Sequence, residues 1–127
     1  MDDILIGIDF DNTIVCYDGV FYETAVERKM IGCDSQCRSK EQVRDYLRGI
    51  GREDQWTLLQ GYVYGVCMSR ANPFPGVIDF FKLCREKQIL TAVVSHKTLF
   101  PLNGPKYDLH YVARKWLGDH QIDQVVA

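Results

Sequence analysis

Ile4-Leu5-Ile6-Gly7-Ile8-Asp9-Phe10-Asp11-Asn12-Thr13 is the stretch on which the reading of this chain turns. A nearly continuous apolar run, Ile4 to Ile8, stops at a polar cluster, Asp9 to Thr13. A strand covered on both faces of a parallel sheet reads this way, because neither face has to meet water. Leu90-Thr91-Ala92-Val93-Val94 is a second such run, and it ends at Ser95. Before it, Val77, Phe80, Phe81 and Cys84 recur at i, i+3, i+4 and i+7, with Asp79, Lys82, Arg85 and Glu86 between them. That is the period of an amphipathic helix. Pro73-Phe74-Pro75-Gly76 marks the turn into it. A helix leading into a buried strand is the second half of a crossover unit, so the two apolar runs are expected to lie parallel in one sheet. The fold class that follows is α/β, with a parallel Rossmann-like sheet.

The long segment between the first run and that helix, about Asp18 to Asn72, also reads as helical. Val43, Tyr46, Leu47 and Ile50 form one apolar stripe, and Ser39 with Gln42 has capping-box spacing before it. Gly49 and Gly51 end that helix. Trp56, Leu59, Val63 and Val66 form a second stripe, and Tyr22, Ala25, Val26 and Met30 a shorter one. Packing accounts for all three. Beyond Ser95 comes a loop with Pro101, Gly104 and Pro105. A last helix then carries Leu109, Val112, Ala113 and Trp116 on one face, with Asp108 near its start and Gly118 past its end. Ile122 to Ala127 reads as the approach to a third strand.

The 127 residues suit one modest domain, and the formal net charge of −2 gives no reason to expect nucleic acid or a membrane surface as partner. Met1-Asp2-Asp3 is acidic where a signal peptide would be basic, and no stretch approaches the roughly 20 apolar residues of a membrane span. A cytoplasmic setting is expected. The five cysteines, Cys16, Cys33, Cys37, Cys67 and Cys84, are an odd number without a signal, which argues for free thiols. Cys33 and Cys37 could be half of a zinc site, but His96, His110 and His120 all lie far along the chain.

Asp9 and Asp11 stand where a buried strand ends, the edge at which open parallel sheets bind ligands. Residues two apart on extended backbone point the same way. Carboxylates that close do not both ionise cheaply unless a cation lies between them. One stable arrangement is a nucleophilic carboxylate, a neighbour that carries a proton, and a hard metal that holds the substrate oxygens. A surface turn rich in Asp, Asn and Thr is the other, and the pair alone leaves both open.

The run resembles the first motif of the haloacid dehalogenase-like (HAD) hydrolase superfamily, an apolar strand followed by Asp-x-Asp-x-Thr or Val, here Asp9-Phe10-Asp11-Asn12-Thr13. Leu90 to Ser95 is similar to the second motif, an apolar strand ending in Ser or Thr. The insert of 18–72 lies where the helical cap of that family belongs, and Pro73 to Val77 looks like the return from it. The resemblance implies a core of 1–17 and 73–127, a cap of 18–72, and magnesium-dependent hydrolysis of a small phosphate monoester. Asp9 would attack phosphorus and form an aspartyl-phosphate. Asp11 would protonate the leaving oxygen and then activate water. Asp9, and Asp11 through its carbonyl, would bind Mg2+. Ser95 would donate to a phosphoryl oxygen, as would backbone amides of the loop that follows Asp9, at Phe10, Asp11, Asn12 and Thr13. An acid at position 11 points to the phosphatase branch rather than to dehalogenation.

The family pattern also has a phosphate-steadying lysine and further metal-binding Asp residues. Lys97 is the nearest candidate for the lysine, against a loop lysine facing solvent; Lys106 and Lys115 are weaker. Gly118-Asp119-His120-Gln121-Ile122-Asp123 matches the last motif only superficially, because an amphipathic helix and not a buried strand precedes it. Two strands and the beginning of a third are countable where the family has at least five. An incomplete core is therefore expected, with an inactive, association-only portion as the alternative function. Phosphoryl transfer to an acceptor other than water is another. Unpaired sheet edges also suggest a homodimer. The expected ligand is a small phosphorylated metabolite, within reach of Tyr17, Trp56, Gln60, Tyr62, Tyr64, Arg70 and His96.

Overall fold

Leu5–Asp9 (β1) and Leu90–Val94 (β4) pair in parallel, in a register that sets Leu5 beside Leu90 and Asp9 beside Val94. This is seen in a computed structural model that describes residues 4–32 and 36–122. Val77–Glu86 (α4) precedes β4 and packs on it, so the crossover expected from the sequence is present. The protein is thus of mixed α/β class with a two-stranded parallel sheet.

The first strand is not covered on both faces. Leu5, Gly7 and Asp9 are exposed and alternate with the half-buried Ile6 and Ile8. Leu5 is 66% exposed and Leu90, its register partner, 56%. In β1 strand alternation turns Ile6 and Ile8 toward the core and leaves Leu5, Gly7 and Asp9 exposed, whereas Thr91, Ala92 and Val93 of β4 are all buried. A continuous apolar run cannot distinguish a covered face from an open one.

From β1 the chain makes a tight loop into Val15–Cys16 (β2), which pairs antiparallel with Asn72–Pro73 (β3). Phe74 N extends this neck by donating to Ile14 O at 3.0 Å. Three helices lie between the two strands of the neck: Val20–Glu27 (α1), Lys40–Gly49 (α2) and Glu53–Val66 (α3), packed on one another. The Ser39–Gln42 capping box is formed and starts α2. Gly51, at φ 75°, makes the turn toward α3, a conformation that carries little penalty in glycine. Glu53 and Asp54 favour the start of α3 by meeting the positive end of its dipole.

Leu109–Asp119 (α5) begins at Asp108, whose Oδ1 accepts from Tyr111 N at 2.9 Å. Gly118 falls inside its last turn rather than past its end, and Gln121 takes the positive φ. Trp116 of α5 donates from Nε1 to Ala71 O at 3.0 Å and packs edge-on against Phe10. One apolar cluster therefore runs from Phe10 and Val93 through Trp116 to Phe21, Trp56 and Leu59 of the inserted helices. The stripes were read with the right period and some slippage at their ends. Val43, Leu47, Trp56, Leu59, Val63, Phe81 and Cys84 are buried, but Tyr46, Ile50, Val66 and Phe80 are exposed. In α1 the buried face is Val20, Phe21, Thr24 and Ala25, with Tyr22 and Val26 half-buried. Ile122 is buried, and its N–H closes the end of α5 on Leu117 O. The rest of the expected third strand, 123–127, lies outside the described residues, as does Cys33.

Candidate functional site

The register of β1 and β4 puts Asp9 and Ser95 at the same, C-terminal edge of two neighbouring strands. Asp9 is exposed there, and its Oδ1 accepts from Phe10 N at 2.9 Å. The Phe10 ring turns the other way, into the core against Trp116, which fixes the strand end. The loop then closes on itself. Ile14 N and Val15 N donate to Phe10 O at 3.0 and 3.1 Å, and Asn12 N donates to Val15 O at 3.0 Å with Asn12 at φ 60°.

In this closure three of the four amides of the expected cradle have partners within the loop. Phe10 N is taken by the Asp9 carboxylate, Asn12 N by Val15 O, and Thr13 N makes a long contact to Phe10 O at 3.4 Å. A six-residue return from Phe10 to Val15 thus ties most of its amides to its own carbonyls and to Asp9. The Asn12 side chain reaches outward instead, donating to Glu41 Oε1 at 3.2 Å and tying the loop to the first turn of α2.

Asp11 is the centre of a polar network. Lys97 Nζ donates to both its oxygens, at 3.0 and 2.8 Å, and the Tyr17 hydroxyl donates to Oδ1. The Lys97 side chain is only 5% exposed, against 27% for Asp11, so Lys97 is not a lysine facing solvent. Its ammonium also lies 3.5 Å from the Tyr64 ring centroid, over the face. Burial holds Lys97 below the usual lysine range, while the attraction of Asp11 works against that. Burial, and then the charge of Asp11, push the Tyr17 and Tyr64 phenols upward, so both keep their protons.

Lys97 is carried by the loop between β4 and α5, and this loop is well fixed. Ser95 Oγ accepts from Lys97 N at 3.2 Å, His110 Nε2 lies 2.9 Å from Lys97 O, and Leu109 N donates to Leu99 O at 2.8 Å. Two glycines of α3 let the loop come close. A Cβ on Gly61 would lie 2.8 Å from Pro101 Cβ, and one on Gly65 2.4 Å from Tyr107 Cγ. Between α3 and this loop is a cavity of about 240 Å³, lined among others by Asp11, Gln60, Tyr64, His96, Lys97 and Leu102.

The structure thus brings Asp11, Lys97, Tyr17, Gln60, Tyr64 and His96 together, and puts Ser95 and Asp9 at the adjoining strand ends. It leaves three expected contacts elsewhere. Trp56 is buried against Phe21, Tyr62 lies under the Arg28 guanidinium, and Arg70 pairs with Glu27 at 2.9 Å on the surface. Lys115 pairs with Asp119 along α5, which takes both away from the site. Lys40 was missed: its Nζ donates to the Tyr64 hydroxyl at 2.8 Å. The only sequence signal for it is its place next to the capping Ser39, which says where it starts but not where it reaches.

Among the described residues no group of three or more His, Cys, Asp or Glu side chains is placed to hold a metal ion. Asp9 offers one exposed carboxylate with one oxygen engaged, while both oxygens of Asp11 accept from Lys97. Sites for Mg2+ commonly draw only one or two carboxylates from the protein, with the remaining oxygens from phosphate and water. No family model matches the chain, and neither a curated protein nor a solved structure matches it.

Proposed function

We propose that the chain is a phosphomonoesterase of the HAD-like type, with a Rossmann-like core of 1–17 and 73–127 and a helical cap of 18–72. The observation that carries this reading is the meeting of the two strand ends: Asp9 and Ser95 adjoin, and Asp11 is bound by the buried Lys97 beside a cavity. A surface turn would need no buried lysine. The order of these residues in the sequence is also the order in which the resemblance expects them.

In this reading the phosphate ester enters as its monoanion and passes its proton to Asp11, whose oxygens accept from Lys97 and Tyr17 before the substrate arrives; a carboxylate oxygen of Asp9 then attacks phosphorus, and the ester oxygen leaves with that proton from Asp11. Water then gives a proton to Asp11 and attacks the same phosphorus, which frees Asp9. Ser95 has a hydroxyl proton to donate to a phosphoryl oxygen, because its bond from Lys97 N uses only a lone pair. Lys97 supplies positive charge where charge develops on the phosphoryl oxygens. An incoming phosphate competes with Asp11 for that ammonium, which loosens Asp11 for proton transfer at the moment the substrate arrives. Magnesium, when bound by Asp9 and the Asp11 carbonyl, supplies electrostatic stabilisation of the phosphate oxygens. The cavity volume suits a small phosphorylated metabolite. A cytoplasmic setting goes with the free thiols of Cys16, Cys37, Cys67 and Cys84. A homodimer through the open sheet edges belongs to the proposal, and elution at monomer size at high concentration would sink that part.

The experiment is hydrolysis of an aryl phosphate with Mg2+ by the protein and by Asp9→Asn. Turnover that disappears in the variant supports the phosphatase. Turnover that survives it removes Asp9 as nucleophile, and none in either leaves the association-only alternative. Added alcohol acceptors that take the phosphoryl group in place of water would redirect the reading to phosphotransfer.

A further inference from the structure

Lys40 opens α2 directly after its N-cap, and it is half-buried. Its ammonium donates to the Tyr64 hydroxyl at 2.8 Å and lies 5.5 to 5.7 Å from the ring centroids of Tyr64, Phe21 and Tyr17. Among the described residues no carboxylate forms an ion pair with it. The nearby acids are committed elsewhere: Asp11 to Lys97 and Tyr17, and Glu41 to Asn12.

Three effects oppose a positive charge at this place. Burial removes its water, and it pulls Lys40 below the usual lysine range although Asp11 and Glu41 attract it. The N-terminal end of a helix repels a cation. Lys97, on the face of the same Tyr64 ring, repels it as well. Desolvated charges in folded proteins are paired, and among the described residues Lys40 has a hydroxyl and three aromatic rings around it but no anionic partner.

The layout says what such a partner would be. Asp11 is bonded to Lys97 and to the Tyr17 hydroxyl, the Lys40 ammonium lies 5.7 Å from the Tyr17 ring centroid, and both lysines border the Tyr64 ring. The site therefore runs from Asp9 through Lys97 and Asp11 to Tyr64 and Lys40. Tyr64 walls the cavity and holds Lys40 by its hydroxyl. If phosphorus sits at Asp9 and the scissile oxygen at Asp11, whatever lies beyond Asp11 is the leaving group.

We propose that Lys40 is a specificity-determining residue that meets a second anionic group, a carboxylate or its like, on the leaving side of a small phosphate ester. The inference rests on the phosphatase reading for the direction of the ligand, and it is tested without turnover.

The test is calorimetric binding, with Mg2+, of a non-hydrolysable alkyl phosphonate bearing a carboxylate, compared with the same phosphonate as its neutral carboxylate ester. The protein is expected to prefer the acid by about tenfold or more, as one charge-assisted hydrogen bond would give. Lys40→Arg keeps that preference, and Lys40→Met and Lys40→Gln reduce it below about twofold. Equal binding of the two ligands to the unaltered protein, binding of neither, or a preference that persists in both neutral variants overturns the proposal. The first two outcomes need no variant to fold. A retained preference without hydrolysis of any phosphate ester would remove the phosphatase reading and leave the anion site standing.

Discussion

Replacing Lys97 by Met keeps most of the side-chain volume and removes the charge that Asp11 and Tyr64 surround. Breaking a buried ion pair costs about 3–5 kcal/mol when it strands a charge. Here the cost is smaller, because Asp11 is partly exposed and keeps the Tyr17 hydroxyl. The variant also no longer desolvates an ammonium. A loss of about 1–3 kcal/mol is expected, which for a domain of this size lowers Tm by several degrees. Asp11→Asn strands the more deeply buried partner and should cost more. The pair is then read from a double-mutant cycle in urea unfolding: the two losses should fall short of additivity by at least about 1 kcal/mol, because the second change removes a group already left without its partner. Turnover of an aryl phosphate should drop by about 10²–10³ in Lys97→Met, the scale of one lost donor to a developing charge. Additive losses in the cycle, with turnover unchanged, would refute both the pairing and the assignment of Lys97 to the site.

Stability should pass through a maximum near pH 10. Tyr17 and Tyr64 have raised folded pKa values, so above their ordinary value of 10.0 the unfolded chain releases protons that the folded one keeps, and each tyrosine subtracts about 1.4 kcal/mol per pH unit. Lys40 and Lys97 are lowered, so the folded state holds fewer protons just below 10.5 and they add stability as pH rises toward that value. Urea unfolding between pH 8 and 11.5 shows this as a dome, and Tyr64→Phe should flatten its alkaline side; a curve flat to pH 11.5 would contradict the burial of these phenols. Magnesium alone should bind only at millimolar levels in calorimetry, and tighter when inorganic phosphate is present, because among the described residues the site offers only Asp9, with one oxygen already engaged, besides the Lys97-bound Asp11; micromolar binding without phosphate would show a fuller ligand set. Gly65→Ala puts a methyl group where Tyr107 sits, and it should cost about 1–3 kcal/mol and reduce turnover through the displaced Lys97 loop. Unchanged stability and turnover in that variant would show that the loop can shift freely.

What could be read before the structure is local or pairwise along the chain. The capping box at Ser39 and Gln42, the stripe in α4 and the crossover into β4 involve residues a few positions apart, and their geometry follows from helix and strand periods. The parallel pairing of two distant runs was legible because only one connection hand and one sheet arrangement suit a strand, a helix and a strand in that order. Asp9, Asp11 and Ser95 stood out because they end apolar runs, and Lys97 only because the family resemblance asks for a lysine nearby. The open face of β1 and the neck of β2 with β3 were not. Exposure depends on what else packs there, and two residues of pairing leave no pattern in a sequence.

The deepest part of the site was the least legible for a related reason. Asp11 and Lys97 are 86 positions apart, and Lys40 and Tyr64 24. Their meeting depends on how closely the loop after β4 can lie on α3, and Gly61 and Gly65 decide that by presenting bare backbone to Pro101 and Tyr107. In the sequence these glycines stand in a helix where they weaken it by about 1 kcal/mol each relative to alanine. The weakness is explained once the loop is seen resting on them. A lysine in a Pro- and Gly-rich loop reads as solvated because nothing local holds it. It becomes a buried partner of Asp11 because a helix from the other side of the neck has given up two side chains to admit its loop.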